Sequence, residues 1–159
     1  MIKNVRKKFL GLVMTLTILS MVSISVCALM YSDSFYNSIS WTWEYNAPAT
    51  DSYNCLGYAT GSMDYEWPWG ASNPTSAQVD SYFNDGIWYN YTSHPYGSPY
   101  QPKIISYGSS SSIKHFSKVP VGASGYCIAK WGPAERFKHY SWSPYYSSSV
   151  YGSAVRIYN

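Results

Sequence analysis

The sequence predicts an α+β fold: a short helix carrying Cys55 near its start, a second helix, and then a mostly antiparallel sheet that packs against the first. Three observations predict it. Helix-capping residues cluster between positions 51 and 86, alternating or β-branched segments dominate from Ile104 onward, and the composition is rich in Tyr, Ser and Gly but poor in Leu. Tyr and β-branched residues suit a half-buried pleated surface, and helices followed by a run of strands read as α+β.

The chain opens with a basic head of Lys3, Arg6, Lys7 and Lys8, followed by an uncharged apolar stretch from Phe9 to Val26 and the exit Val26-Cys27-Ala28. Basic head, apolar middle and small-residue exit are the parts of a secretory signal, so residues 1–28 are read as a signal peptide. A membrane anchor is the alternative, because the stretch is nearly long enough to span a bilayer. Ile24-Ser25-Val26-Cys27 is only loosely a lipoprotein signal. Residues 29–159 are then one domain, expected to be secreted or held at the cell surface. The mature part holds seven Lys/Arg against eight Asp/Glu. It lacks the basic surplus of a nucleic-acid partner, and it is read as a monomer that meets a membrane only through an uncleaved signal.

Each element has its own signals. Residues 29–50 are polar and aromatic, and Trp41, Trp43 and Tyr45 alternate as in a short strand or extended arm. Asp51 or Ser52 can cap a helix that begins near Tyr53, carries Cys55, Leu56, Tyr58 and Ala59, and ends at Gly61. Trp67-Pro68-Trp69-Gly70 is a loop. Asn73 as cap, Pro74 at the first position, the shared face of Val79, Tyr82 and Phe83, and Gly86 as terminator define a second helix. Strands are expected over 104–107, 113–119, 126–131 and 154–158, with Ile113, His115, Ser117 and Val119 on one face. Gly108 to Ser112 is a hairpin loop, and Gly132-Pro133 breaks the strand before it.

Cys55 with His115 is the pair that carries chemistry. A thiol attacks a carbonyl as thiolate, and a helix N-terminus or a nearby imidazole favours that form. The backbone N–H of Cys55 would contribute to an oxyanion hole. Two other readings stay open: a Cys55–Cys127 disulfide, which an exported protein with two mature cysteines permits, and a purely structural His115. His94, before Pro95, is read as a loop residue. Trp67, Trp69 and Trp131 either line a cleft beside Cys55 or fill the core. No H-E-x-x-H or C-x-x-C spacing is present, so no metal or other cofactor is expected, and Gly122-Ala123-Ser124-Gly125 has the wrong spacing for a nucleophilic serine.

Asn54-Cys55-Leu56-Gly57-Tyr58-Ala59-Thr60-Gly61 resembles the N-C-x-x-Y/W-A-x-G signature of a group of small bacterial proteins. His115-Phe116-Ser117-Lys118-Val119 is similar to that group's H-F/A-S/A-K/R-V strand, and Ala129-Lys130-Trp131-Gly132 followed by His139 resembles its S-K-W/L-G … H segment. Cys helix, His strand and further strand occur in the order of the papain-like superfamily, which includes NlpC-type cell-wall peptidases. The resemblance runs from Asn54 to about His139. It implies a papain-like cysteine peptidase or amidase acting on a peptide or amide bond, with cell-wall peptide as the substrate class. Cys55 would be nucleophile and His115 general base and acid, with Asn54, Trp67 and Trp131 toward the substrate. The strand after His115 offers Cys127, Ala129 and Lys130 where an orienting residue is usual, which leaves His139 or Glu135 for that role. The competing expectation is an inactive aromatic-rich module that binds cell wall or protein and is stabilised by a Cys55–Cys127 bridge.

Overall fold

The structure is a computed structural model that describes residues 29–159; the signal assigned to residues 1–28 lies outside them. Among the described residues no helix is long and apolar enough to cross a membrane. The fold is α+β. Helix α1 (Asp33–Ile39) and strand β1 (Glu44–Ala47) precede α2 (Cys55–Thr60) and α3 (Ser76–Phe83). The strands β2 (Ser93–Pro95), β3 (Ile104–Ser109), β4 (Ser112–Lys118), β5 (Cys127–Lys130), β6 (Arg136–His139) and β7 (Ala154–Tyr158) follow. They form one seven-stranded sheet in the order β1-β6-β5-β4-β3-β7-β2, and all of its ladders among the described residues are antiparallel.

Period-2 geometry divides β3 between two cores. Ile104 enters a cluster with Leu56, Ala59, Val79, Phe83 and Phe116, which α2 and α3 cover. Ile105 and Tyr107 enter a second cluster with Tyr36 and Ile39 of α1, Trp131, Phe137 and Tyr145. The alternation expected for β4 holds at His115, Ser117 and Val119, which are all buried, but not at Ile113. The β3–β4 register slips by one residue between Tyr107 and Gly108. That β-bulge turns Ile113 into the cluster of Phe116 instead.

Local chemistry explains where the helices differ from the sequence reading. Asn54, not Asp51 or Ser52, caps α2: its side chain accepts the Gly57 N–H at 3.0 Å, while Gly61, at φ +91°, closes the helix in the left-handed conformation. Thr75 rather than Asn73 caps α3, in a reciprocal capping box with Gln78, and the helix ends on Asn84 rather than Gly86. Asn73 and Pro74 instead tie this helix to the β-hairpin: Asn73 donates to the Ser112 hydroxyl, and the Pro74 carbonyl accepts the Ile113 N–H. Residues 29–50 hold a strand only from Glu44, and Ser32 caps the unexpected α1 ahead of it. His94 lies on the short β2 and stacks on Tyr100 at 3.9 Å between ring centroids.

The α2 glycine at position 57 is set by space. A Cβ there would stand 1.8 Å from the Asp64 carbonyl oxygen, a backbone atom that cannot swing aside. Gly57→Ala is therefore expected to destabilise the protein by roughly 2 kcal/mol or more, the scale of overpacking with a backbone shift. Urea unfolding monitored by tryptophan fluorescence checks this; an unchanged midpoint would contradict the close approach.

Candidate active site

β4 and β5 are paired at Lys118 and Ile128 and then part. α2 packs against both strands at this point. The amide of Phe116, which a continuing ladder would offer to β5, faces the Cys55 thiol instead. Burial pushes that thiol up to about 11, while the N–H groups of Phe116, Leu56 and Cys55 itself and the nearby Lys130 pull the other way. Dehydration of a thiolate outweighs these attractions in the resting protein, so the sulfur rests as a thiol with anion-stabilising groups already around it.

A groove of about 360 Å³ opens over Cys55, lined also by Asn54, Tyr65, Trp67, Gly70, Ala71 and Gly132. None of these side chains is charged. Cys55 is only 7% exposed and Tyr65 is 73% exposed, so Cys55 belongs to the floor and Tyr65 to the open wall. Asn54 holds the groove's geometry. Besides capping α2 it donates to the Glu66 carbonyl and accepts the Glu66 N–H, pinning the segment that carries Trp67. Trp67 lies edge-on to Trp69 and to Phe116, at 5.3 and 6.0 Å between ring centroids. The Glu66 carboxylate accepts from the hydroxyls of Thr60, Tyr82 and Tyr89, anchoring this wall to α2 and α3.

His115 is fully buried in the other core, stacked on Tyr151 at 3.8 Å, and its Nε2 lies 3.1 Å from the Tyr145 hydroxyl. The same two tyrosines sit within electrostatic reach of Cys55: burial is the main cause of their raised pKa values, and the thiol adds to both. No hydrogen bond joins Cys55 to His115 among the described residues. His139 is also buried, with Nε2 3.2 Å from the Tyr145 hydroxyl and Nδ1 2.5 Å from the Thr42 carbonyl. Burial drives both imidazoles toward the neutral form. It is the main cause at His115, with His139 as the lesser one, and it takes His139 down to about 4.

Several expectations are corrected. Cys55 and Cys127 are both free, and they enter different cores, so the bridge proposed to stabilise an inactive module is not formed. The Cys127 thiol instead donates to the Ser141 carbonyl at 3.2 Å. Trp131 does not line the groove. It is 2% exposed and its indole N–H reaches Tyr145 Oη and His139 Nε2. Glu135 does not orient His115, because its carboxylate accepts from the Tyr36 hydroxyl and the Met30 N–H. His139 reaches His115 only through Tyr145. Tyr145 and Tyr151 escaped the sequence reading, since nothing in the sequence separates them from the chain's other tyrosines. Among the described residues no group of His, Cys, Asp and Glu could hold a metal ion.

Residues 44–159 match the family described as Domain of unknown function (DUF7689). The chain belongs to this family. No curated protein and no solved structure matches it. The family match takes in α2, α3 and all seven strands, and so covers Cys55, His115, His139 and Tyr145 together.

The buried imidazoles give a pH dependence with a defined sign. His139 titrates lower in the folded than in the unfolded chain, so its neutral form stabilises above about 6.5 and that contribution is lost as pH falls through about 4. The loss from His139 alone is roughly 3 kcal/mol, at 1.36 kcal/mol per pKa unit. Thermal melts between pH 7 and 4 should show a falling Tm, with a shallower slope in His139→Gln; equal slopes would contradict the burial of a neutral His139.

Proposed function

We propose that the mature chain is an exported, papain-like cysteine hydrolase that cleaves a peptide or amide bond, with cell-wall peptide as its substrate class. The observation that carries this reading is the position of Cys55. Cys55 lines an uncharged groove where the His-bearing β4 parts from β5, and three backbone N–H groups act to favour its thiolate. A structural cysteine has no need of that opening. The superfamily order of Cys helix, His strand and further strand adds support, and the cell-wall substrate rests on that resemblance alone.

In the proposed reaction the substrate carbonyl enters the groove between Tyr65 and Trp67. Cys55 Sγ attacks the carbonyl carbon as its proton passes to His115. Backbone N–H groups at the start of α2 stabilise the charge that develops on oxygen. The His115 imidazolium then protonates the leaving amine, a thioester remains on Cys55, and water hydrolyses it with His115 as base. The raised thiol pKa and the neutral imidazole suit this order, because the proton moves only as the nucleophile attacks.

A non-catalytic module would use the same groove for binding, with the exposed Tyr65 ring as its contact. Two assays separate the readings. Digestion of purified peptidoglycan, followed by chromatography of released fragments, should lose at least about a thousandfold in rate in Cys55→Ala and comparably in His115→Ala. Iodoacetamide labelling of Cys55 should slow in His115→Ala. Binding to peptidoglycan that survives Cys55→Ala, with no fragment released by the unmodified protein, would replace the hydrolase with the binding module.

A further inference from the structure

The direction of the buried polar chain behind His115 is traced from its Thr42 end. His139 Nδ1 lies 2.5 Å from the Thr42 carbonyl and 3.3 Å from the Ser40 hydroxyl, which itself donates to backbone carbonyls. A carbonyl only accepts, so Nδ1 carries the hydrogen. A neutral His139 then leaves Nε2 as a lone pair that sits 3.2 Å from the Tyr145 hydroxyl oxygen and 3.3 Å from the Trp131 indole nitrogen. The one Trp131 N–H is shared between this atom and Tyr145 Oη; the assignment gives it to Oη, at the shorter distance, and gives the Tyr145 hydrogen to His139 Nε2, so that two lone pairs do not face each other. Tyr145 Oη is therefore an acceptor toward its other neighbours. One is the Trp131 indole N–H at 3.2 Å, which can only donate; the other is His115 Nε2 at 3.1 Å.

We infer that Tyr145 is a positioning residue that fixes His115 as its Nε2–H tautomer, the hydroxyl being polarised in turn by His139 and the Thr42 carbonyl. The chain runs His115 Nε2–H to Tyr145 Oη–H to His139 Nε2, and His139 Nδ1–H to Thr42. It leaves His115 Nδ1 as the unprotonated nitrogen, and no hydrogen bond occupies that atom among the described residues. Tyr151, stacked flat on the ring at an interplanar angle of 17°, holds its plane. The assignment deepens the hydrolase reading: Nδ1 is the atom that would take the Cys55 proton, and a phenol performs the task that a side chain on the strand after His115 performs in the superfamily. It also gives His139 its place, one bond further back.

The test is the tautomer itself, read by long-range ¹H–¹⁵N correlation of the imidazoles in ¹⁵N-histidine-labelled protein at neutral pH. The chain holds three histidines, and His94→Gln and His139→Gln assign the signals. In the unmodified protein His115 should show the Nε2–H pattern and His139 the Nδ1–H pattern. Tyr145→Phe keeps the ring and removes the acceptor. It should move His115 to a mixture of tautomers, with Cys55 alkylation slowed by about tenfold or more. A His115 that is Nδ1–H or doubly protonated in the unmodified protein overturns the inference, whether or not the variant folds. So does a Tyr145→Phe spectrum with His115 unchanged. The readout does not depend on turnover: Cys55 alkylation indifferent to His115→Ala would end the hydrolase reading, while an Nε2–H signature that Tyr145→Phe abolishes would still support the positioning role.

Discussion

The architecture depends on the separation of β4 from β5 beyond the Lys118–Ile128 pair. A buried strand edge must find partners for its amides, because an orphaned buried N–H costs as much as a lost hydrogen bond. Here α2 packs against both strands, and the Phe116 backbone acts on the Cys55 thiol. A six-residue helix has little stability of its own. It persists because Asn54 caps it, Gly61 ends it, and Leu56 and Ala59 bury themselves against Phe116 and the α3 residues. The residues that stabilise the helix are thus the ones that set Cys55 at the opening.

The site proposed for hydrolysis would draw on two cores. The groove belongs to the α2–α3 side, with Trp67, Trp69 and Tyr82 packed behind it. His115 and its polar chain belong to the α1 side, among Tyr107, Tyr145 and Trp131. Between them runs β4, where Phe116 and His115 are sequence neighbours that enter opposite cores, and the Phe116 backbone is among the groups that act on the Cys55 thiol. The aromatic abundance follows from this arrangement. Tyr and Trp fill large volumes while carrying one hydrogen-bonding atom each, and His115, His139, Ser117 and Glu135 are all satisfied in the interior by hydroxyl or indole groups.

Lys130 marks the other limit of the site. Its side chain is buried, donates to the Gly132 and Ala134 carbonyls, lies 5.6 Å from the Tyr53 ring centroid, and is pulled down to about 8 by burial. It closes the Gly132-Pro133 turn, so Gly132 comes to the groove wall. Its positive charge also favours a Cys55 thiolate. One residue thereby couples the end of β5 to the chemistry of α2.

Sequence by itself determined the class of fold, a helix that carries Cys55 and ends at Gly61, and the strands that became β3, β4, β5 and β7, while β6 went unread; it also singled out Cys55 and His115 as the pair to test. These are local matters: capping, period and residue chemistry act within a few positions. The tertiary structure alone decided the rest. Whether Cys55 meets Cys127 depends on which core each residue enters, a choice made by sheet register. The departure of Ile113 from its expected face comes from one bulge opposite Gly108. The role of Tyr145 lies in a contact across 30 residues, and many tyrosines with equal local chemistry compete for it in the sequence. Only the geometry of the folded sheet selects one phenol to stand between two buried imidazoles.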